Sequence, residues 1–160
     1  ETFFPDFALI TQNIDGLHHK AGSKKIIELH GNIWRVRCTA EGDRKELYDV
    51  PLSELPPVCK CGALLRPDVV WFGEELPGAA IEAAKNAAMR AEVFFVVGTS
   101  AVVQPAASLP LLAKRNGAYL VEVNTEATPL TEMVDECLMG PAGEILPEIE
   151  KLIAEARKSG

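Results

Sequence analysis

Short apolar runs alternate along this chain with stretches of helical periodicity, and polar residues gather where the runs stop. Phe7-Ala8-Leu9-Ile10-Thr11 is apolar and β-branched, the pattern of a buried strand. Lys25-Ile26-Ile27-Glu28-Leu29 leads into His30, and Ile33-Trp34-Arg35-Val36-Arg37-Cys38 alternates as a half-buried strand does. Val69-Val70-Trp71-Phe72 is a further extended run, stopped by Gly73 and the acidic pair Glu74-Glu75. From Pro77 to Arg90 the chain is alanine-rich, with Ile81, Ala84 and Ala88 on one face, which predicts a helix. Glu92-Val93-Phe94-Phe95-Val96-Val97 has almost no polar interruption and suits a parallel strand covered on both faces. A second helix is expected from about 104 to 115, ended by Gly117. Residues 118–124 form the next strand. A last helix carries Ile145, Leu146, Ile149, Leu152, Ile153 and Ala156 along one stripe, opposite Glu148, Lys151 and Glu155, and Cys137 falls near its start.

Strands alternating with helices predict an α/β fold with a Rossmann-like parallel sheet and right-handed crossovers. The stretch 39–58 is charged and turn-rich, with Pro56-Pro57 near its end. Residues 34–66 therefore read as a small inserted module, and 1–33 with 67–160 as the Rossmann-like domain.

Composition narrows the classes. The chain has 160 residues, of which 48% are hydrophobic, enough for a core. A net charge of -7 disfavours nucleic acid as a partner, because phosphate binding needs clustered Lys and Arg, and it is compatible with a lysine-bearing substrate. No apolar run approaches the ~20 residues that span a bilayer, so no membrane partner is expected and the protein reads as soluble and cytoplasmic. The first residue is Glu1, so the sequence reads as beginning partway along a longer protein. Nothing in the pattern sets the oligomeric state.

The chemistry concentrates at strand ends. Gln12, Asn13, Ile14 and Asp15 follow the first strand, Gly98, Thr99 and Ser100 follow the strand at 92–97, and Asn124, Thr125 and Glu126 follow that at 118–124. Carboxyl ends of parallel strands are where open α/β sheets bind ligands, and in the expected sheet these three lie on one edge. Gly98 lets a ligand approach the backbone, and Thr99 and Ser100 offer hydroxyls and amides to a phosphate. Taken alone, Gly-Thr-Ser is more often an ordinary turn and cap, and Asn after a strand a routine turn residue. His30 precedes Gly31 between two strand-like runs. A lone histidine there is more often a buried, hydrogen-bonded core residue, although imidazole is the usual general base near neutral pH. His18 and His19 sit on a short helical turn, where at least one is expected to face solvent.

Cys38, Cys59 and Cys61 resemble part of a zinc ribbon, which wants two cysteine pairs. A Cys-x-x-Cys first pair would put its partner at Glu41, and the second pair is compressed to Cys59-Lys60-Cys61. The three are an incomplete zinc site, reduced thiols are an equal reading, and substoichiometric metal is the expectation.

Five motifs occur in one order: TQNIDGLHHKAG at 11–22, ELHG at 28–31, CGALLRPDVVWFGE at 61–74, GTSAVVQPAA at 98–107 and VEVNTEATPLT at 121–131. Through them the chain strongly resembles the sirtuins, the NAD-dependent protein deacylases, and most of all the bacterial branch grouped with class III desuccinylases. The resemblance implies that Gln12, Asn13, Ile14 and Asp15 contact the nicotinamide ribose and the pocket where nicotinamide leaves. It places Gly98, Thr99 and Ser100 on the phosphate and adenosine side, Asn124, Thr125 and Glu126 near the adenine ribose, and Ala142 against adenine. His30 matches the general base. In the family's mechanism the acyl-lysine oxygen attacks the ribose carbon as nicotinamide departs; the histidine then deprotonates a ribose hydroxyl, and the acyl group migrates to give O-acyl-ADP-ribose. Val69, Val70, Trp71, Phe72 and Gly73 match the segment that pairs with an acylated-lysine peptide as an added strand. A plain buried strand accounts for some of the same residues.

Two departures accompany the resemblance. The family's opening strand and glycine-rich loop have no counterpart, nor do the tyrosine and arginine that select acidic acyl groups, so acetyl, succinyl and malonyl lysine stay open as substrates. The second departure is the incomplete cysteine set. Two other readings stand beside a deacylase: a truncated, non-catalytic NAD-binding or interaction module, and mono-ADP-ribosyl transfer.

Overall fold

The computed structural model describes residues 1–158; Ser159 and Gly160, the end of the expected 67–160 span, lie outside the described residues. The chain divides into two compact units, one of Glu1 with residues 6–81 and the other of residues 2–5 with 82–160.

The first unit opens with β1 (Leu9–Thr11), the short helix α1 (Leu17–Lys20) and β2 (Ile26–Glu28). β1 and β2 pair in parallel, Leu9 opposite Ile26 and Thr11 opposite Glu28. The apolar run starting at Phe7 therefore yields a strand only from Leu9, where the ladder begins. β3 (Gly31–Cys38), β4 (Arg44–Glu46) and β5 (Leu65–Val69) form a separate antiparallel sheet in the order β4-β3-β5. Its buried core is small: Val36, Cys38 and Leu65, with Leu47, Cys59 and Ala63 packed against them. β5 stops at Val69, and Trp71 to Glu74 turn instead of extending as expected; Glu74 donates its amide to the Trp71 carbonyl at 3.0 Å and Gly73 takes φ +88°.

The helix α2 (Gly78–Arg90) leads into the second unit, with Ala84 and Ala88 fully buried on the expected face. β6 (Val93–Val97), β7 (Tyr119–Asn124) and β8 (Glu136–Met139) form a parallel sheet in that order. Between β6 and β7, the predicted helix is a 3-10 turn at Ala106–Ser108 followed by α3 (Leu109–Arg115), and Gly117 supplies the left-handed residue beyond it at φ +96°. α3 packs on β6 and β7. Val96, Leu120 and Leu130 form the core, backed by Phe94, Ala101, Leu111 and Val134.

Two expectations are corrected here. β6 is an edge strand, and Val93, Phe95 and Val97 are 53%, 41% and 37% exposed, so only one of its faces is covered among the described residues. Cys137 lies in β8, not at a helix start; Glu136 and Cys137 at the head of that strand leave it without an apolar run. The last helix, α4 (Ala142–Lys158), begins after it. Its apolar stripe is only partly covered, since no residue of α4 is buried. Among the described residues no helix is long and apolar enough to cross a membrane.

Candidate active site

In the first unit the parallel pairing of β1 and β2 sets Gln12 and His30, each just past a strand end, beside one another. His30 Nδ1 donates to the Gln12 carbonyl at 2.9 Å. A carbonyl only accepts, so Nδ1 carries the hydrogen and Nε2 of the neutral ring holds the free lone pair. The half-buried imidazole is therefore oriented and its tautomer set by backbone. The amide of Val70 donates to the His30 carbonyl at 2.9 Å, which ties the end of β5 to the same residue.

The loop between β1 and α1 is braced on several sides. Thr11, buried, accepts the Asn13 amide at 3.1 Å on Oγ1. Asp15 accepts the Leu17 amide on Oδ1 at 2.9 Å and so holds the entry to α1, while its carbonyl takes the indole N–H of Trp34 at 2.8 Å. The Ile14 carbonyl takes the Ile33 amide. Gly16 and Gly31 are required on two counts. Both have positive φ, +70° and +78°, and a Cβ at Gly16 would press within 2.9 Å of the Trp34 ring while one at Gly31 would collide with the Asp68 carbonyl.

Beneath this loop lies a charge network that sequence reasoning did not find. Arg35 Nε and Arg44 Nε donate to Asp68 Oδ2 at 2.6 and 2.9 Å, and Arg35 also reaches Glu28 at 3.3 Å. Glu28 in turn accepts from Asn32 at 2.6 Å and from exposed His19 at 3.2 Å. Burial works to raise the Asp68 pKa, but the two arginines outweigh it and hold the carboxyl below its ordinary value. The available signal was charge inside strand patterns, at Glu28, Arg35 and Asp68.

Past β5, Trp71 is exposed and Phe72 fully so. Arg66 shapes this turn: it donates to both carboxylate oxygens of Glu74 at 2.6 and 3.1 Å and to the Val69 carbonyl at 3.0 Å, and its guanidinium sits 3.8 Å from the centre of the Trp71 ring. Hydrogen bonds from Arg66 and from the Trp71 amide bring the Glu74 pKa down to about 2.

In the second unit the ends of β6 and β7 lie side by side. Gly98 donates its amide to the Val123 carbonyl at 3.0 Å, and Asn124 Nδ2 donates to the Thr99 carbonyl at 2.9 Å. Gly98 has φ +58°, and no atom stands within 4 Å of where a Cβ would lie. Ser100, Thr125 and Glu126 are exposed. The Asn124 carbonyl accepts the Gly140 amide at 2.8 Å, which brings the turn before Ala142 to the same edge. Open space beside a strand-end backbone, with the exposed Ser100 hydroxyl at its edge, fits a phosphate-bearing ligand such as NAD. Under this edge the fully buried Glu122 accepts from the Thr128 and Thr131 hydroxyls at 2.5 and 2.6 Å.

Cys38, Cys59 and Cys61 also come together, with Glu41 beside them: one ligand atom from each of the four lies within 4.8 Å of every other. Three thiols and a carboxylate at that spacing fit a tetrahedral zinc ion.

A family model described as the Sir2 family matches residues 2–105. The chain is 60% identical over 136 residues to the NAD-dependent protein deacylase of Aquifex aeolicus (strain VF5), covering 84% of this chain and 57% of that protein. It is similar to the crystal structure of a Sir2 homolog–NAD complex, with a TM-score of 0.89, 48% identity, and 94% of this chain and 59% of the other covered. To the structure of a Sir2–p53 peptide–NAD+ assembly the TM-score is 0.82 and the identity 39%, covering 91% and 62%. The chain thus spans somewhat over half the length of the relatives it matches.

Proposed function

Because this chain belongs to the Sir2 family, we propose that it works in the NAD-dependent removal of acyl groups from protein lysine side chains, acetyl first and succinyl or malonyl as further candidates. The observation that carries the reading is the bond from His30 Nδ1 to the Gln12 carbonyl, which leaves Nε2 as the basic nitrogen of a half-buried ring. NAD, when bound, supplies a ribose carbon made electrophilic by the departure of nicotinamide. His30 Nε2 takes the hydroxyl proton whose loss lets the acyl group move off lysine.

The other residues bind and orient. Gln12, Asn13, Ile14 and Asp15 hold the nicotinamide-ribose end of NAD, with Asp15 and Ile14 fixed by Trp34 and Ile33. Gly98, Thr99 and Ser100 serve the phosphates and adenosine, Asn124, Thr125 and Glu126 the adenine ribose, and Ala142 the adenine. Val69, Val70, Trp71, Phe72 and Gly73 pair with the acyl-lysine peptide; the Arg66–Glu74 clamp and the exposure of Trp71 and Phe72 support that role. The peptide in the Sir2–p53 structure supports the substrate class. Residues 34–66 form an inserted module that supplies no catalytic group and touches this chemistry only through Trp34 and Arg66, which position the two segments. Free thiols at all four cysteines support a reducing, cytoplasmic setting.

The test is turnover by the full-length protein with acetylated and succinylated peptides. NAD-dependent acyl loss with nicotinamide release is expected, and His30→Ala should lower kcat by about 100-fold or more while NAD still binds. No nicotinamide release with either peptide would sink the deacylase reading; full turnover by the folded His30→Ala protein would remove only the general-base assignment.

A further inference from the structure

The small antiparallel sheet of the first unit has a thin core and a long irregular connection. Its buried residues are Val36, Cys38 and Leu65, every residue of β4 is exposed, and residues 47–64 between β4 and β5 contain no strand or helix beyond an isolated bridge at Val58 and Leu64. Segments this poor in buried apolar surface need a staple to hold one conformation. The chain places a set of donors where a staple would act.

Two tight turns present them. In the first, Gly42, at φ +77°, returns its amide to the Cys38 carbonyl at 3.1 Å, and the Glu41 amide points at Cys38 Sγ at 3.4 Å. In the second, the Cys59 amide bonds the Ala63 carbonyl at 2.7 Å and the Gly62 amide returns to the Cys59 carbonyl at 2.9 Å, with Gly62 at φ +87°. Cys38 Sγ and Cys61 Sγ stand 3.6 Å apart, too far for a disulfide, whose sulfurs lie at about 2.05 Å. That separation is close to the edge of a tetrahedron of sulfurs around a zinc ion, with Zn–S of about 2.3 Å. Glu41 occupies the position at which a Cys-x-x-Cys turn would carry its second thiol, and its carboxylate oxygen lies within 4.8 Å of all three sulfurs.

We propose that Glu41 is a metal ligand, completing with Cys38, Cys59 and Cys61 a closed, four-coordinate zinc site of three thiolates and one carboxylate. The carboxylate replaces the missing thiol at the same turn position, so the incomplete cysteine set still yields a full donor set. With four protein ligands no position is open to water or substrate, and the ion acts as the staple of residues 34–66. Its binding energy is then folding energy of this segment. A carboxylate is a harder donor than a thiolate, so the ion is held less tightly than four thiolates would hold it.

The experiment uses the 160-residue chain, purified under reductant, with zinc measured by elemental analysis and the geometry read by cobalt substitution. One zinc per chain is expected, and Co2+ should give the visible absorption of a tetrahedral site together with thiolate charge-transfer bands. Glu41→Gln should lower zinc affinity by at least the ~10–100-fold that loss of an outer-shell partner costs. Glu41→Cys should bind zinc more tightly than the wild type and strengthen the charge-transfer bands, and it keeps the test open if Glu41→Gln fails to fold. Unchanged affinity and an unchanged cobalt spectrum in folded Glu41→Gln would overturn the ligand assignment. Well under one zinc per reduced chain, or a Cys38–Cys61 disulfide in protein kept under reductant, would overturn the site.

Discussion

Both units place a polar loop at the carboxyl end of a parallel strand, and they hold it by different means. After β1 the loop is gripped by side chains and backbone of β3: Trp34 holds the Asp15 carbonyl, Ile33 the Ile14 carbonyl, and the arginine–carboxylate network of Arg35, Arg44, Asp68 and Glu28 lies beneath. After β6 the loop is held by the Asn124 side-chain amide on the Thr99 carbonyl and by backbone, over a carboxylate answered by two threonine hydroxyls and the Cys137 thiol, with no cation among the groups that bond it. The first arrangement fixes atoms, which the general-base role proposed for His30 needs. The second leaves amides and hydroxyls accessible, which suits a ligand that must enter, bind along the backbone and leave. The difference lies in what surrounds the two loops and can be broken at named atoms.

The largest contrast concerns two glycines that both have positive φ. At Gly31 a Cβ meets the Asp68 carbonyl across the β3–β5 pairing, and neither backbone can yield without parting the ladder. Gly31→Ala should cost more than about 4 kcal/mol or prevent folding of the unit. At Gly98 the space is open, so Gly98→Ala should cost only the left-handed penalty of about 1–2 kcal/mol. Its sharper effect should be on NAD affinity, because the added methyl enters the open space proposed for the ligand. Denaturation midpoints for the two variants read the contrast directly. Equal losses would show that the β6 loop is as confined as the β1 loop.

The two buried carboxylates give the next largest difference. Asp68 faces guanidinium groups that can only donate, so Asp68→Asn takes the Asp68 anion from Arg44 and leaves Arg35 with Glu28 alone. Its cost should be about 2 kcal/mol, below the ~3–5 kcal/mol of a fully buried pair because both arginines are partly exposed. Since the folded pKa of Asp68 is lowered, its contribution is fully present above the unfolded value of about 3.9 and is lost as pH falls through the folded pKa. Acid titration of stability should therefore be less steep in Asp68→Asn than in the wild type at low pH. Glu122 faces hydroxyls, and a hydroxyl can turn from donor to acceptor to meet an amide. Glu122→Gln should cost about 1 kcal/mol although Glu122 is the more buried of the two. A larger loss at Glu122 than at Asp68 would reverse this ranking.

β1, β6 and β7 and the polar residues past their ends were legible because each of these strands is a run of apolar, largely β-branched residues. What could not be read was anything made by partners distant in sequence. Asp68 looked like one polar residue between Pro67 and Val69, and its meaning depends on Arg35 and Arg44 arriving from two other strands. Glu41 was visible at the turn position of a missing cysteine, but only the folded chain sets its carboxylate beside the three sulfurs. β6 read as covered on both faces because hydrophobicity reports what a residue can bury, not what is there to bury it. β8 is short and carries Glu136 and Cys137 at its start, so no periodicity announced it; it exists because the Glu122 and Asn124 region of β7 offers it a ladder.

The smallest effects come from the single donors that brace each loop. Trp34→Phe keeps the ring and removes the N–H that holds the Asp15 carbonyl; Asn124→Ala removes the amide that holds the Thr99 carbonyl. Each half-buried bond should contribute about 0.5–1.5 kcal/mol, too little for denaturation midpoints to separate the variants. Local hydrogen exchange can separate them. After Trp34→Phe the β1 loop keeps its Thr11, Asp15 side-chain and Ile33 bonds, so protection at Asn13, Leu17 and Ile33 should fall by no more than the one lost bond, about tenfold. Asn124→Ala removes the side-chain tie from β7 to the Thr99 carbonyl, and protection at Ala101 and Thr125, whose amides rest on Thr99 Oγ1 and on Asn124 Oδ1, should fall further than at any amide of the β1 loop. The loop with more bracing bonds should lose less of its protection when one is removed. Comparable loss in both variants would mean that the indole, rather than the network beneath it, fixes the residues around His30.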